Sequence, residues 1–589
     1  MFDSMLSNIY KEYNVEIISE DKLNNTLDLS VKGILMDSCA GKKCALWGAG
    51  RMNTTSSHAA VLLGKYATYL QNMVCVIDSD PSLQGKTFLG YPIIAPQDIL
   101  QYDIDVVVIS SKNSGKSIVE SLQAVSSNQN YVDIYEQLRE KGIEVYNSFF
   151  DEHSIYTEIF GLQQKLKAVE DKTECESILE KLISLYLSIK DFYYAFEYID
   201  TYVGQRYEKW EAYQQVKDKI VAILQLMKEK IANRKDDVSL FYVDALRGKD
   251  SYEADGTLKL FERYKPHAQV YTNVYSMGAT TYESMVSAIL GKYPRECDVY
   301  TDNFLRDFDE FAFLQKAYDE QYQIHFLVSD CYRLLENTEK AHFDIQIYMS
   351  QKLWSLANIL ASSEEKTFNF LYFPYEIHCP MLCGMHEVKP VIVSFSDMGI
   401  EKFPESLEKQ YEECVDYMDK QFDFYYDLLA PKSTKLIFSD HSQVVYDKEN
   451  QNRSYNMYYK NKELTTHIPF LVVREGLEPT TFDGMLSMHE WNDFIMHAMD
   501  GKGFDDLEQD IIRYQYYPIH SQKIRNHCHR YGFEDYIDGI DVFLDKEMIY
   551  VVTGTGKQEV YRHCDLEHDL IEEECGKAFI ASVKEHFPM

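Results

Sequence analysis

Short apolar runs that stop at a small or acidic residue and give way to a helical pattern occur in two separate stretches of the chain. In the first stretch, residues 43–147, the runs are KCALWGAG, MVCVIDSDP, IDVVVISS and GIEVYNS. Strands buried on both faces are continuously apolar, and their alternation with helices is typical of βαβ units. This stretch therefore predicts a doubly wound parallel sheet.

The first strand-to-helix turn of this stretch contains Gly48 and Gly50 but lacks the third glycine of the GxGxxG pattern, and Asp78 follows the second strand. Glycines there let a phosphate approach the backbone, and an acid in that position binds a ribose. These three residues are the candidate nucleotide-binding residues, with a tight turn that binds nothing as the alternative.

The stretch from LWGAG to VVVISS resembles small Rossmann-like domains attached to sugar-modifying and polysaccharide-assembly proteins. The resemblance implies a nucleotide, a nucleotide-sugar or a dinucleotide as ligand. We place this Rossmann-like domain at residues 1–150. Residues 151–235 follow as a helical spacer with one hairpin of tetratricopeptide type. The third domain is predicted at residues 236–589.

The third domain repeats the opening pattern. A strand over Val238–Val243 ends at Asp244, and a strand over Lys435–Phe438 is followed by Asp440 and His441. Residues at the carboxyl ends of parallel strands meet at one edge of a sheet, so these side chains are expected to converge despite their separation in sequence.

A pair of threonines, Thr280 and Thr281, precedes a helical run over Tyr282–Leu290 that stops at Gly291. The start of a helix favours a tetrahedral anion because backbone N–H groups and the helix dipole point at it. Two carboxylates and an imidazole suit Zn²⁺ or Mn²⁺, and a threonine hydroxyl beside such a metal is an activated nucleophile. A helix cap is the alternative role for Thr281.

Five segments in order resemble the alkaline phosphatase superfamily, especially its sulfatase-like branch: FYVDALR, TTYESMVSAILGKYP, FLYFPYEIHCPM, KLIFSDHSQ, and THIPFLVV followed by MLSMHEWNDFI. The resemblance covers about residues 236–510 and implies an α/β/α sandwich. The metal ligands that it implies are Asp244, Thr281, Asp440 and His441. It implies that Thr281 is the nucleophile, with Thr280 as the neighbouring alternative. His378 would contact the transferred group, and His489 is a further candidate for the same pocket.

The chain departs from the sulfatase pattern at the nucleophile, because TTYES cannot supply the C/S-x-P-x-R motif that sulfatases oxidise. Threonine is what the phosphodiesterase and phosphotransferase members use. Ser442 replaces the usual glycine after Asp-His, and Glu376 is the nearest acid for a second metal. We therefore expect one divalent metal, Zn²⁺ or Mn²⁺.

These features predict a metal-dependent phosphoryl-group hydrolase or transferase that acts on a phosphate ester, phosphodiester or glycoconjugate, in cell-surface polysaccharide metabolism. The alternative is a non-catalytic sugar-phosphate-binding protein with a degenerate sulfatase-like domain. An NAD-dependent sugar oxidoreductase is less well supported, since no Tyr-x-x-x-Lys pair lies near the predicted sheet and the glycine motif is incomplete.

The net charge of −35, from 59 basic and 94 acidic residues, would repel a phosphate backbone and argues against a nucleic-acid partner. No window approaches a membrane span, and no signal peptide is recognised at the start. The 12 cysteines lack a repeating spacing, so we expect reduced thiols in a cytoplasmic protein. Self-association is left open.

Four metal-ligand types crowd together in EIHCPMLCGMHE, namely His378, Cys379, Cys383 and His386. Their spacing matches no closed structural zinc site, so a zinc held by these four is a minor alternative. After about residue 511 the chain is rich in His and Tyr and predicts a short strand-containing tail without an assigned role.

Overall fold

A computed structural model describes most of the 589 residues. The described ranges are 1–17, 20–49, 58–111, 114–141, 145, 155–253, 255–297, 305–328, 334–378, 381–390, 406–443, 465–518 and 522–587. The chain divides into two compact units. The N-terminal unit comprises Ile18–Thr157, and the main unit comprises Met1–Ile17, Glu158–Val299 and Leu305–Met589.

The first part of the chain alternates helices and short strands. They are α1 (Phe2–Glu12), α2 (Glu20–Cys39), β1 (Cys44–Trp47), α3 (His58–Lys65), β2 (Met73–Ile77), β3 (Thr87–Phe88), β4 (Tyr91–Ile94), β5 (Val106–Ile109), α4 (Gly115–Val125), β6 (Asn130–Asp133) and α5 (Ile134–Glu140). The strands form one sheet in the order β3-β4-β2-β1-β5-β6. All neighbours pair in parallel except β3 with β4.

Three of the four predicted strands of the N-terminal unit are present as β1, β2 and β5, while β3, β4 and β6 were not predicted. The fourth predicted strand, GIEVYNS, lies almost wholly outside the described residues. The strands β1 and β5 are buried along their whole length, which explains their continuously apolar sequences.

The segment predicted as a helical spacer contains α6 (Ile155–Ala168), α7 (Lys172–Ser188), α8 (Phe192–Gly204) and α9 (Trp210–Ile231). The side chain of Asp191 caps α8 by accepting from the backbone N–H of Tyr194, and Lys190 before it has a φ of 62°. This left-handed residue and the cap separate α7 from α8. From Glu158 onwards the segment belongs to the main unit, as does α1.

The middle part of the main unit consists of a large sheet and the helices around it. They are β7 (Val238–Val243), α10 (Gly248–Ser251), β8 (Ala268–Tyr275), α11 (Thr281–Leu290), α12 (Pro294–Cys297), α13 (Ala312–Asp319), β9 (Gln323–Val328), β10 (His342–Ile345), α14 (Met349–Ser362), β11 (Thr367–Phe373), α15 (Ser406–Tyr425), β12 (Thr434–Phe438), β13 (His467–Val473), β14 (Thr480–Ser487) and α16 (Trp491–Met499). The strand order is β10-β9-β11-β7-β12-β13-β8-β14. Only β13 runs antiparallel to its neighbours among these described strands.

The last part of the chain is a further sheet, and not merely a short tail. Its elements are β15 (Ile512–Tyr516), α17 (Gln522–Tyr531), β16 (Ile540–Leu544), β17 (Met548–Thr553), β18 (Gln558–Arg562) and α18 (Glu574–His586). The four strands pair antiparallel in sequence order. Apolar side chains on both faces of this sheet belong to buried clusters, one of which includes Phe579 and Val583 of α18. Within the described residues, no helix combines the length and apolarity needed to cross a bilayer.

A lysine is buried in the centre of the main sheet. Lys435 lies on β12, and its Nζ donates to the carbonyl oxygens of Ala430 at 2.6 Å and Ser433 at 3.0 Å. Burial lowers the pKa of this amine to about 7, against the opposing charges of Asp237 and Glu475.

We expect Lys435→Met to flatten the pH dependence of stability between about pH 7 and pH 10. In this range the folded chain holds a neutral amine, whereas the unfolded chain holds a protonated one. The unfolded state therefore binds more protons, and the free energy of unfolding rises with pH by up to about 1.4 kcal/mol per unit from this group. Urea unfolding at several pH values measures this slope, with the exposed Lys432→Met as control. Equal slopes in wild type and Lys435→Met would contradict the assignment.

Candidate active site

The strand order of the main sheet brings four predicted site residues to one edge. The strand β7 pairs in parallel with both β11 and β12, so the carboxyl ends of these strands are neighbours. Asp244 directly follows β7, His378 lies in the loop after β11, and Asp440 and His441 lie just beyond β12. The pairing of non-consecutive strands therefore assembles residues that are almost two hundred positions apart in sequence.

The predicted nucleophile helix begins where the sequence indicated. Thr280 is the N-cap of α11, and its hydroxyl accepts from the backbone N–H of Glu283 at 3.4 Å. Thr281 is the first residue of the helix, and its Oγ1 lies 3.4 Å from Nε2 of His441. The helix ends at Gly291, which has a φ of 57°. Because Thr280 caps the helix, the Thr281 hydroxyl is available to the site.

The imidazole of His441 is oriented by the backbone. Its Nδ1 lies 2.8 Å from the carbonyl oxygen of Ser442, and since a carbonyl only accepts, Nδ1 carries the proton. The opposite nitrogen, Nε2, lies 3.6 Å from Oδ1 of Asp244 and 3.4 Å from Oδ2 of Asp440. Nε2 therefore faces two carboxylate oxygens and the Thr281 hydroxyl.

In the carboxylates of Asp244 and Asp440, one oxygen accepts hydrogen bonds from described residues and the other does not. Oδ1 of Asp440 accepts from the backbone N–H groups of Ala245 at 3.3 Å and His441 at 2.9 Å. Oδ2 of Asp244 accepts from the Tyr372 hydroxyl at 2.5 Å. The other two oxygens, Oδ1 of Asp244 and Oδ2 of Asp440, are buried and accept no hydrogen bond from the part of the chain that the structure describes. Buried polar atoms without partners indicate an ion or a ligand.

The electrostatics of Asp244 reflect this crowding. Burial, followed by the neighbouring charge of Asp440, raises the pKa of the Asp244 carboxyl well above its usual range, while His441 and Tyr372 act in the opposite direction. Burial and the same two carboxylates also raise the pKa of the Tyr242 hydroxyl. A bound cation would lower the pKa of these carboxyls.

The turn after Asp244 is strained and held in place by α15. Ala245 has a φ of 63°, a left-handed conformation that costs free energy in a residue with a side chain. The Tyr411 hydroxyl donates to the Ala245 carbonyl oxygen and accepts from the Arg247 N–H, both at 3.1 Å. The buried Arg247 guanidinium donates to Glu408 at 2.7 and 3.2 Å. These contacts fix the backbone that presents Asp244.

Two serines hold the loop that carries Asp440 and His441 in place. Ser284, on α11, donates from Oγ to the carbonyl oxygen of Asp440 at 2.6 Å, which ties the nucleophile helix to this loop. Ser442, which stands where the resemblance predicts glycine, is buried, and its hydroxyl donates to the carbonyl oxygen of His467. The loop therefore accommodates this departure without exposing the side chain.

The two further histidines have different surroundings. Donor atoms of His378 lie within 4.8 Å of those of Asp244 and His441, and the rings of His378 and His441 meet edge to face at 6.1 Å. His378 is therefore within reach of a metal or a transferred group. The polar and ring contacts of His489, within the described residues, are with Ser487, Glu490 and Tyr293.

The donor set fits a divalent metal. It offers two carboxylate oxygens, the imidazole nitrogen of His441 and the hydroxyl of Thr281, with His378 close by; such a mixture of O and N ligands suits Zn²⁺ or Mn²⁺. Glu376, the nearest acid by sequence for a second metal, is buried and accepts from the backbone N–H of Met349 at 2.8 Å. The sequence did not identify Tyr372 and Tyr242 as neighbours of the site, because no motif distinguishes them from the other tyrosines among the 46 in the chain.

The predicted nucleotide-binding residues lie at the carboxyl ends of β1 and β2. Gly48 has a φ of 109°, and a Cβ there would come within 3.2 Å of the Ser110 hydroxyl, so only glycine suits this turn. The Asp78 carboxylate accepts from the backbone N–H groups of Ala49 at 2.8 Å and Asp80 at 2.9 Å. Gly50 lies outside the described residues. Asp78 therefore lies beside the glycine turn and shapes it.

Comparison with known proteins gives one family match and several similar solved structures. The family described as C2185-like, N-terminal, matches residues 40–132, and no curated protein matches the chain. Similar solved structures include the phosphonate monoester hydrolase of Agrobacterium radiobacter (10% identity, TM-score 0.42, 59% of this chain and 94% of that chain). A 2-O GAG sulfatase is 10% identical with a TM-score of 0.42, and the match covers 60% of this chain and 91% of that chain. An alkaline phosphatase superfamily protein from Vibrio parahaemolyticus is 14% identical with a TM-score of 0.37, and the match covers 62% of this chain and 95% of that chain. All three TM-scores lie below 0.5, so the site residues, and not these likenesses, define the function proposed for the chain.

Asp440→Asn tests whether the site holds a metal. The amide can keep an oxygen at the Oδ1 position for the two backbone N–H groups, but it places an NH₂ group where the partnerless Oδ2 lies. We expect this variant to lose about one equivalent of divalent metal per chain, since an amide N–H₂ does not coordinate Zn²⁺ or Mn²⁺. Plasma mass spectrometry of dialysed protein measures the loss.

Asp344→Asn, at a half-buried aspartate on β10 of the same sheet, is the matched control and should retain the metal content of the wild type. Unchanged metal content in Asp440→Asn would remove Asp440 from the ligand set.

Proposed function

We propose that the main unit is a metal-dependent phosphoryl-group hydrolase or transferase of the alkaline phosphatase superfamily, sulfatase-like branch, with Thr281 as nucleophile. One observation carries this proposal. The Thr281 hydroxyl, at the first residue of a helix, faces the same imidazole nitrogen as two carboxylate oxygens that accept no hydrogen bond from the described residues. An activated nucleophile, a cation-binding set and a helix N-terminus are thus brought together within a few ångströms.

The ligands proposed for the metal are Asp244, Asp440, His441 and Thr281. When bound, the metal would supply positive charge that lowers the pKa of the Thr281 hydroxyl and stabilises the charge developing on phosphorus-bound oxygens. The proposal needs one metal. His378 is placed to contact the transferred group or to complete the ligand set.

The chain's own residues then account for the chemistry. Thr281 Oγ1 loses its proton to water and forms a bond to phosphorus, while the bond from phosphorus to the leaving oxygen breaks and that oxygen takes up a proton. The backbone N–H groups at the start of α11 stabilise the non-bridging oxygens. Water or a sugar hydroxyl then attacks the phospho-threonine, the bond between phosphorus and Oγ1 breaks, and Thr281 is regenerated. Hydrolase and transferase differ only in this acceptor.

The substrate class follows from the nucleophile. A threonine cannot be oxidised to the formylglycine of sulfatases, whereas its hydroxyl can attack phosphorus. We therefore propose a phosphate ester or phosphodiester as substrate. The resemblance of the N-terminal unit to domains of polysaccharide-assembly proteins supports a glycoconjugate precursor, handled in the cytoplasm.

Thr281→Ala should lower turnover of a phosphate ester by several orders of magnitude, as deletions of a nucleophile commonly do. Its fold should survive, because Thr280 provides the helix cap and a cap contributes only about 1 kcal/mol. Thr281→Ser should retain part of the activity, since it keeps a hydroxyl. The measurement is kcat/KM for aryl phosphate monoesters and diesters, with aryl sulfates expected to be inert.

Thr280→Ala is the matched control, because it removes the neighbouring hydroxyl and the cap but leaves Thr281 in place. Loss of activity in Thr280→Ala alone would move the nucleophile by one residue. If wild type binds phosphate esters and turns none over, the site is that of a non-catalytic sugar-phosphate-binding protein.

We further propose that the N-terminal unit binds a nucleotide or nucleotide-sugar near Gly48 and Asp78. The parallel strands β4-β2-β1-β5-β6 follow the order of mononucleotide-binding sheets, with Gly48 at the turn after the central strand. Calorimetry with nucleotide-sugars and NAD should detect binding to wild type that Gly48→Val weakens, since the new side chain would collide with Ser110 and Ser111. The absence of binding to wild type would leave this turn a purely structural feature.

A further inference from the structure

We propose that Cys383, His386 and Cys414 bind a structural zinc ion in the main unit, at a site that shares no ligand with the candidate active site. Cys383 and His386 lie in the loop that follows β11, and Cys414 lies on α15. Their ligand atoms all lie within 4.8 Å of one another. Two thiols and an imidazole are the soft and borderline donors that select zinc among the common divalent ions.

The spacing of the donor atoms matches zinc coordination. Sγ of Cys383 lies 3.5 Å from Nε2 of His386. In a tetrahedral site with a Zn–S bond of about 2.3 Å and a Zn–N bond of about 2.0 Å, the sulfur and nitrogen are also about 3.5 Å apart. The two ligands therefore need little movement to receive the ion, and Cys414 supplies a third corner of the tetrahedron.

The imidazole of His386 is oriented as in zinc sites. Its Nδ1 lies 2.8 Å from Oε2 of Glu413, so Nδ1–H donates to the carboxylate and the lone pair of Nε2 is directed at residue 383. The Cys383 backbone N–H, 3.1 Å from Nε2, is the present partner of that lone pair. A carboxylate behind the distal nitrogen of a histidine is the usual outer support of a metal ligand.

Burial argues for a structural site and not a catalytic one. Cys383 and His386 are each 1% exposed and Cys414 is 0% exposed. A substrate cannot reach these atoms, whereas a metal taken up on folding can, because the loop and the helix close around it. The zinc would join the loop after β11, which also carries His378, to α15.

The structure also explains why the sequence cluster in EIHCPMLCGMHE matched no known spacing. Its first histidine, His378, joins Asp244 and His441 at the candidate active site. Cys379 lies outside the described residues. The remaining pair finds its third ligand, Cys414, 31 positions after Cys383 on a different element, so no local spacing could reveal the set.

Cobalt substitution of the full chain under reducing conditions tests this proposal. Thiolate ligands give Co²⁺ an intense near-ultraviolet charge-transfer band, which the proposed ligands of the candidate active site, all oxygen or nitrogen donors, do not give. We expect the band in wild type and in Asp440→Asn, its bleaching by added Zn²⁺, and its loss in Cys414→Ser. The matched control is Cys528→Ser, at a cysteine that is equally buried and outside the cluster, which should keep the band.

No band in the reduced wild-type protein would overturn the proposal, whether or not Cys414→Ser folds. So would a band of full intensity in Cys414→Ser, or zinc-free protein in which mass spectrometry finds a Cys383–Cys414 disulfide. Because Asp440→Asn alters only the candidate active site, loss of metal or activity there is distinguished from failure of the thiol site.

Discussion

Two carboxylate oxygens and an imidazole nitrogen face one another in a buried space at the edge of the main sheet. A proton on Nε2 of His441 could serve only one acceptor, whereas Asp244, Asp440 and Thr281 all present an oxygen to that atom at 3.4 to 3.6 Å. A cation with several coordination positions satisfies all of them together. The proposed metal would supply this positive charge at the centre of the candidate active site.

Holding these groups requires rigid support from several elements. Parallel pairing of β7 with β11 and β12 sets the spacing of the strand ends. The Tyr372 hydroxyl donates a hydrogen bond to Oδ2 of Asp244. The left-handed backbone of Ala245 is kept in place by Tyr411 on α15. Strain of this kind persists only where neighbours over-determine the conformation. The arrangement of the proposed ligands is therefore set by the fold itself.

The sequence predicted the parts of this site that depend on local pattern. The strand Val238–Val243 has the predicted bounds, and the helix over Thr281–Leu290 differs from its prediction by one residue. Buried parallel strands are continuously apolar, and a glycine ends the helix, so both signals are local. Contacts between distant elements were not predictable: Tyr372 at Asp244 and Cys414 beside His386. Each depends on pairing between segments, which no window of sequence contains.

Helix α15 contacts both of the proposed metal sites. Glu408 and Tyr411 on this helix hold the turn that presents Asp244, while Glu413 and Cys414, a few residues later, face the loop after β11. That loop also carries His378 to the candidate active site. A zinc between loop and helix would fix the position of His378 relative to Asp244, because both would be attached to one rigid element. In this proposal the thiol cluster would act without contacting substrate, by positioning one side of the candidate active site against the other.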